Sequence, residues 1–215
     1  IVYFLQNDKA TSPWQNRFMP VPWRYMMFDS REIAGVQQVF VEEARVGKLV
    51  AERATRAQTL AKRGMFALHR EDEATAESLL AEARALRDAA KHDYGVERVM
   101  REGAWIAAEE ELLEAELFYA FYKGQSVRGL PIQHPSIVIG ALSDVLGEVV
   151  RLIVRDVTRG SAERVQAAQA LVQEVMEVLL QLEATGQARQ KVDQARQHAR
   201  KIEDIAYDLA LRGRV

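Results

Sequence analysis

The residues of this chain that could do chemistry are carboxylates placed among apolar side chains. Glu110, Glu111 and Glu114 fall in the segment EEELLEAELFYAF, which covers residues 109–121. At about 100° per residue, a helix places these glutamates on the same face as Phe118. Burying an unpaired ion costs several kcal/mol, so a cationic partner must compensate for their charge.

A second acidic pair follows in the segment IVIGALSDVLGEVVRLIV, residues 137–154. Asp144 and Glu148 are four residues apart there and border an apolar stripe. Two compensations fit this pattern. Arg151 and Arg155 follow along the same edge and could form ion pairs, which periodicity alone favours. The alternative is a divalent cation, because carboxylate oxygens are the ligands that Mg²⁺ and Mn²⁺ prefer.

The composition is that of a helical globular protein. Of the 215 residues, 48% are hydrophobic, 28% are charged and only 7% are aromatic. A net charge of -2 gives no global argument for nucleic acid, so such a role requires locally clustered cations. The absence of cysteine excludes disulfides and thiolate zinc sites. No apolar run has the length of a membrane span and no secretory signal is visible, so we expect a soluble, cytoplasmic protein.

The spacing of apolar residues and of helix-ending glycines predicts an all-α fold, an antiparallel bundle of six or seven long helices. Residues 1–28 are rich in proline and tryptophan and are expected to form an irregular arm before a single helical domain at 29–215. Ser136 is the predicted N-cap of the fourth helix. The predicted helices cover about residues 29–70, 72–92, 96–122, 136–159, 161–185 and 187–212.

Two of these helices resemble those of the translin family. The run KIEDIAYDLALRG, residues 201–213, is similar to the closing signature of that family, and DVLGEVVRLIVRDVTRG, residues 144–160, is similar to its central helix. ELLEAELFYAF, residues 111–121, resembles the catalytic branch, translin-associated factor X, more than translin itself.

The resemblance implies a metal-dependent endoribonuclease that acts on single-stranded RNA, with single-stranded DNA as a further ligand. It implies an octameric shell of helical subunits with Mg²⁺, or Mn²⁺, as the cofactor. By the same match, Glu111, Glu114 and Asp144 are the metal-ligating catalytic carboxylates, and Glu148 is a further acidic ligand.

RNA binding requires cations near this acidic group. Arg151 and Arg155 lie on the same side of the fourth helix as Asp144, and Arg98 and Arg101 are predicted on the helix that holds Glu111, so we expect these four arginines to contact nucleic acid. The last helix carries further cations that we interpret as a solvent-exposed face: Lys191, Arg196, Arg200 and Lys201.

Two other functions are compatible with the sequence. A translin-like shell that binds single-stranded RNA or DNA without catalysis predicts salt-sensitive binding that survives loss of the carboxylates. A helical scaffold predicts that every carboxylate is paired with an arginine. The ribonuclease hypothesis predicts instead that Glu111, Glu114 and Asp144 converge. The long amphipathic first helix adds an expectation of a homo-oligomer.

Overall fold

The computed structural model describes residues 29–131 and 134–213, and within them it contains seven helices and no strand. The predicted all-α fold is therefore confirmed, while the predicted arm at residues 1–28 lies outside the described part. None of the helices described is both long enough and apolar enough to cross a bilayer. The helices are α1 (Ser30–His69), α2 (Glu73–Tyr94), α3 (Val96–Val99), α4 (Gly103–Lys123), α5 (Pro135–Thr158), α6 (Val165–Leu180) and α7 (Gly186–Leu211).

Local signals account for several of these boundaries. The Asp29 carboxylate accepts a hydrogen bond from the Arg31 N–H at 2.7 Å at the start of α1, and the Asp72 carboxylate accepts one from the Thr75 N–H at 3.1 Å at the start of α2. Helix α4 ends at Gly124, whose φ of 64° is the left-handed conformation that glycine adopts without a steric penalty.

The prediction that Ser136 caps the fourth helix was wrong. The N-cap of α5 is His134, which makes no side-chain capping bond, and Pro135 occupies the first helical turn. Proline is favoured there because its missing N–H would have no partner within the helix.

Two predicted helices are shorter in the structure. The predicted helix at 96–122 is broken, because Glu102 is extended (φ -94°, ψ 120°) and α4 begins only at Gly103, a residue with poor helix propensity. The predicted helix at 161–185 is reduced to α6, and the extended Thr185 (φ -125°, ψ 164°) separates it from α7.

The contacts divide the chain into two compact units, residues 1–44 and 45–215. The described residues of the first unit form the opening turns of α1. Large apolar side chains are exposed on these turns, namely Ile33, Val36, Val39, Phe40 and Val41.

Helix α5 is central to the second unit and packs against α4, α6 and α7. It is buried on opposite faces, since Val145 and Val149 are inaccessible to solvent and so are Leu146 and Ile153. Each such side chain contributes roughly 1.5–3 kcal/mol when it leaves water. The bundle itself, rather than a neighbouring subunit, therefore covers these apolar sides of α5. The remaining edge of α5 carries Asp144 and Glu148.

Candidate functional site

The acidic residues singled out in the sequence come from two adjacent helices. Helix α4 supplies Glu110, Glu111 and Glu114, and helix α5 supplies Asp144 and Glu148. Helices α4 and α5 pack directly against each other, so their acidic edges are brought together. The cations that meet these carboxylates come mainly from two other helices, α1 and α7.

Glu114 has the most unusual environment of the group. Its residue surface is 8% exposed, and within the described part of the chain no lysine, arginine or histidine forms an ion pair with it. Burial, followed by repulsion from Glu111, Asp144 and Glu148, raises the pKa of Glu114 from 4.5 to about 8. The site thus contains a buried carboxyl group that is repelled by three other carboxylates.

Glu114 opens onto a pocket with a volume of about 190 Å³. Three walls contribute to it, from helices α1, α4 and α5. Acidic, basic, aromatic and thioether groups all reach this space. The lining residues are Lys62, Met65, Phe66, His69, Glu111, Glu114, Glu148 and Arg151.

One wall is an imidazole–carboxylate pair. The ring of His69, at the end of α1, forms a short hydrogen bond with Glu148 through Nε2, and it lies 4.9 Å from the Phe118 ring between centroids. This bond, opposed by burial, holds the pKa of Glu148 below its ordinary value. Glu148 is therefore ionised and fixed in orientation at neutral pH.

A second cation joins the carboxylates outside this pocket. Lys191 Nζ of α7 lies 3.0 Å from Glu110 Oε1 and also donates to Asp144. Burial lowers the pKa of Lys191, but the bonds to Asp144 and Glu110 outweigh it and raise the value overall. Gly140 makes this arrangement possible, because a Cβ at that position would lie 2.3 Å from the Glu110 carboxyl carbon.

The predicted catalytic carboxylates Glu111, Glu114 and Asp144 therefore lie on adjacent helices, but they do not share the same neighbours. Glu111 and Glu114 line the pocket with Glu148, whereas Asp144 is held by Lys191 and is absent from the pocket wall. Lys62 Nζ approaches Glu111 Oε2 at 3.2 Å. In residues 29–131 and 134–213, no three His, Asp or Glu side chains lie close enough together to hold a metal ion.

The arginines predicted to contact nucleic acid lie in different environments. Arg151 lines the pocket and its side chain is 53% exposed. Arg155 is 18% exposed and donates instead to the His69 carbonyl and to Asp156. Arg98 is 15% exposed and pairs with Glu102 at 2.7 Å.

The placement of Arg98 and Arg101 on the helix of Glu111 was wrong. Arg98 belongs to the four-residue helix α3, and Arg101 lies in the turn that precedes α4. The break at Gly103 separates both from the acidic segment.

Other glutamates of the acidic segment are ordinary ion-pair residues. Glu109 Oε1 lies 2.8 Å from Lys91 Nζ, and Glu116 Oε1 lies 2.7 Å from Arg84 Nε. These ion pairs distinguish Glu109 and Glu116 from Glu111 and Glu114, which line the pocket.

Sequence reasoning missed the residues of α1 and α7 that meet the carboxylates. Lys191 was assigned to an exposed face, and no role was assigned to Lys62, Phe66 or His69. Lys62, Phe66 and His69 recur at intervals of four and three residues, which places them on one face of α1. This spacing could have indicated that the three residues act together. It is too general to do so alone, because most stripes of similar residues on helices have the same spacing.

Comparisons with known proteins agree with this fold. The Translin family profile matches residues 129–213, a segment that includes Asp144, Glu148 and Lys191 but not the glutamates of α4. A comparison with curated protein sequences found no match.

Solved structures resemble the chain over most of its length. The crystal structure of AfC3PO has a TM-score of 0.72 at 17% identity, covering 83% of this chain and 98% of that one. An AfC3PO complex with duplex RNA gives 0.72 at 16% identity, covering 83% and 97%. Apo-NeC3PO gives 0.69 at 17% identity, covering 80% and 94%. At these identities the likeness establishes the shared helical fold.

Proposed function

We propose that this chain is a metal-dependent endoribonuclease that cleaves single-stranded RNA within a homo-oligomer. Support comes from the translin-family match over residues 129–213 and from the fold shared with C3PO structures, one of which is a complex with duplex RNA. The proposal includes assignment to the factor X branch, an octameric assembly, and single-stranded DNA as a further ligand.

The observation that carries the proposal is the environment of Glu114. A carboxyl group that is buried within electrostatic reach of three others, with no ion-pair partner among the described residues, is electrostatically unfavourable in the absence of a ligand. A divalent cation would remove this cost, and a donor set made only of carboxylate oxygens suits Mg²⁺ or Mn²⁺. The donor types therefore suit the metal that the family resemblance implies, and holding it would require the carboxylates to move closer together than they lie in the described residues.

Glu111, Glu114, Asp144 and Glu148 would hold the ion or ions. A metal held by these carboxylates would supply a bound water of lowered pKa and positive charge opposite the phosphate oxygens, so no side-chain nucleophile would be required. The glutamate and aspartate carboxylates supply the negative charge for this task.

Neighbouring side chains orient or neutralise these carboxylates. His69 fixes the orientation of Glu148, and Lys191 neutralises part of the charge of Glu110 and Asp144. Arg151 reaches the pocket with a half-exposed guanidinium, which suits a phosphate of the substrate.

A non-catalytic shell that binds single-stranded RNA or DNA is the alternative. It is favoured by the cation partners of Glu110, Glu111, Asp144 and Glu148; of these five carboxylates, Glu114 is the one that forms no ion pair in the part of the chain that the structure describes. In that case the acidic group is a network of ion pairs with one protonated member.

Cleavage of an end-labelled single-stranded RNA with Mg²⁺, Mn²⁺ or EDTA tests the proposal. We expect metal-dependent cleavage that falls about 100-fold or more in Glu114→Gln and Asp144→Asn, because each removes charge where a metal is held.

Glu116→Gln is the matched control, since this glutamate lies on the same helix but pairs with Arg84 away from the pocket. Cleavage that is unaffected in the Glu114 and Asp144 variants would reject the carboxylate site. RNA binding without cleavage in the wild-type protein would establish the binding shell instead.

A further inference from the structure

Phe66 lies at the pocket with much of its ring open to solvent. It is 55% exposed, whereas its neighbours on α1 are buried, with Met65 at 6% and Ala67 at 0%. A large apolar side chain in the wall of a polar pocket is costly to leave in water, at about 25 cal/mol for each Å² of apolar surface. Single exposed apolar residues are common, so the neighbours of Phe66 decide whether it has a role.

Two cations flank this ring. The Arg151 guanidinium carbon lies 5.1 Å from the centre of the Phe66 ring, and Lys62 precedes Phe66 by one helical turn. The side chains of Lys62 and Arg151 are each 53% exposed. Both approach pocket glutamates, Lys62 at 3.2 Å from Glu111 and Arg151 at 3.8 Å from Glu148.

This combination matches the chemistry of a nucleotide. An aromatic ring and a guanidinium plane are the groups on which unpaired bases stack, and flanking cations attract the phosphates on either side. An aliphatic ligand would use the ring but not the cations, and inorganic phosphate would use the cations but not the ring.

We propose that Phe66, Arg151 and Lys62 form a base-stacking subsite that binds one nucleotide of single-stranded RNA beside the carboxylates. The inference rests on the proposed function and adds the element that selects an unpaired strand. A base inside a duplex already has both faces stacked and cannot lie on the Phe66 ring. The pocket glutamates offset part of the attraction that Lys62 and Arg151 exert on phosphate, so stacking adds attraction that does not depend on charge.

Binding of a fluorescein-labelled single-stranded oligoribonucleotide in EDTA tests the subsite independently of cleavage. Phe66→Leu keeps an apolar side chain but removes the ring, and we expect the Kd to rise roughly 5- to 150-fold, the range seen on loss of one stacked base. Phe66→Trp is expected to retain binding, and its added tryptophan fluorescence to be quenched by the RNA. An oligonucleotide with abasic spacers should bind the wild-type protein as weakly as the intact RNA binds Phe66→Leu.

Tyr94→Leu is the matched control, because Tyr94 forms the same type of contact with Arg53, at 5.0 Å, but does not line the pocket. Its Kd should equal that of the wild type. Equal binding by Phe66→Leu and wild type, or by abasic and intact RNA, would overturn the stacking subsite while leaving the proposed function standing. A wild-type protein that binds no single-stranded RNA in EDTA and cleaves none with Mg²⁺ or Mn²⁺ would overturn both.

Discussion

At the scale of single residues, the raised pKa of Glu114 has a direct consequence for stability. A folded-state pKa of about 8, against an ordinary value of 4.5, means that the native protein binds this proton more tightly than the unfolded chain does. The associated stability is fully present below pH 4.5 and is lost as the pH rises through 8. The neighbours that set this behaviour are Glu111, Asp144, Glu148 and Lys191.

We predict that Glu114→Gln stabilises the metal-free protein at high pH. In EDTA at pH 8.5, the free energy of unfolding should rise by about 2–4 kcal/mol over wild type, because the neutral amide replaces a carboxyl group that must ionise among others. The difference should shrink to a few tenths of a kcal/mol at about pH 4.5, where Glu114 is protonated in the folded state and half protonated in the unfolded chain. Urea denaturation at the two pH values measures this.

Glu116→Gln again provides the comparison, since it removes a carboxylate that is paired with arginine and should lower stability slightly at both pH values. If Glu114→Gln were no more stable than wild type at pH 8.5, the carboxyl group would not be under the repulsion described.

At the scale of helices, Lys191 connects three elements, because it lies on α7 and contacts Glu110 of α4 and Asp144 of α5. Its ammonium group neutralises part of the acidic edge where a divalent ion would be attracted. Helix α7 therefore controls how much charge α4 and α5 present to a metal.

We predict that Lys191→Gln tightens Mn²⁺ binding by about tenfold, because it removes a competing cation while keeping a hydrogen-bond donor. Titration followed by electron paramagnetic resonance of free Mn²⁺ gives the Kd without reference to activity. Lys201→Gln, on an exposed position of the same helix, should leave the Kd unchanged. Weaker binding by Lys191→Gln would mean that Lys191 holds the carboxylates in place rather than competing for them.

The helices themselves were largely predictable because their signals are local. Periodicity and caps located α1, α2, α5 and α7, whereas the break at Glu102 required an extended backbone that no strong local signal demands. The meeting of α1 and α7 with the carboxylates was not predictable in the same way. It depends on how helices distant in sequence pack, and one sequence does not say which faces meet.

The candidate site shows the same limit. The pattern alone identified five acidic residues on or beside apolar stripes, namely Glu110, Glu111, Glu114, Asp144 and Glu148. The family resemblance added the metal-ligating roles of Glu111, Glu114, Asp144 and Glu148. Lys191 was misassigned to an exposed face because a lysine on a polar helix stripe is ordinarily solvated.

At the scale of the whole molecule, the apolar turns of α1 support the expectation of a homo-oligomer. Val36, Val39 and Phe40 are exposed by 66%, 63% and 73% on one chain. Contiguous exposed apolar surface of this kind commonly marks an interface. The proposed assembly would cover it with another copy of the chain.

We predict that Phe40→Glu reduces the assembly size, because it buries a charge in the apolar contact. Size-exclusion chromatography with light scattering measures the mass directly. Gln38→Glu adds the same charge at a polar position of the same helix and should leave the mass unchanged. An unaltered mass in Phe40→Glu would show that these turns lie outside the interface.

The contact between Arg155 and the carbonyl of His69 affects how mutational data on this protein would be interpreted. Arg155 supports His69, the residue that orients Glu148, by donating to its carbonyl. Other contacts of the Arg155 guanidinium are with Glu71 and Asp156. In the proposed ribonuclease, alanine at either Arg151 or Arg155 would therefore lower cleavage, by different routes. Only the Arg151 variant would also lose affinity for RNA. Counting every arginine whose loss lowers turnover would therefore overestimate the number that touch the substrate.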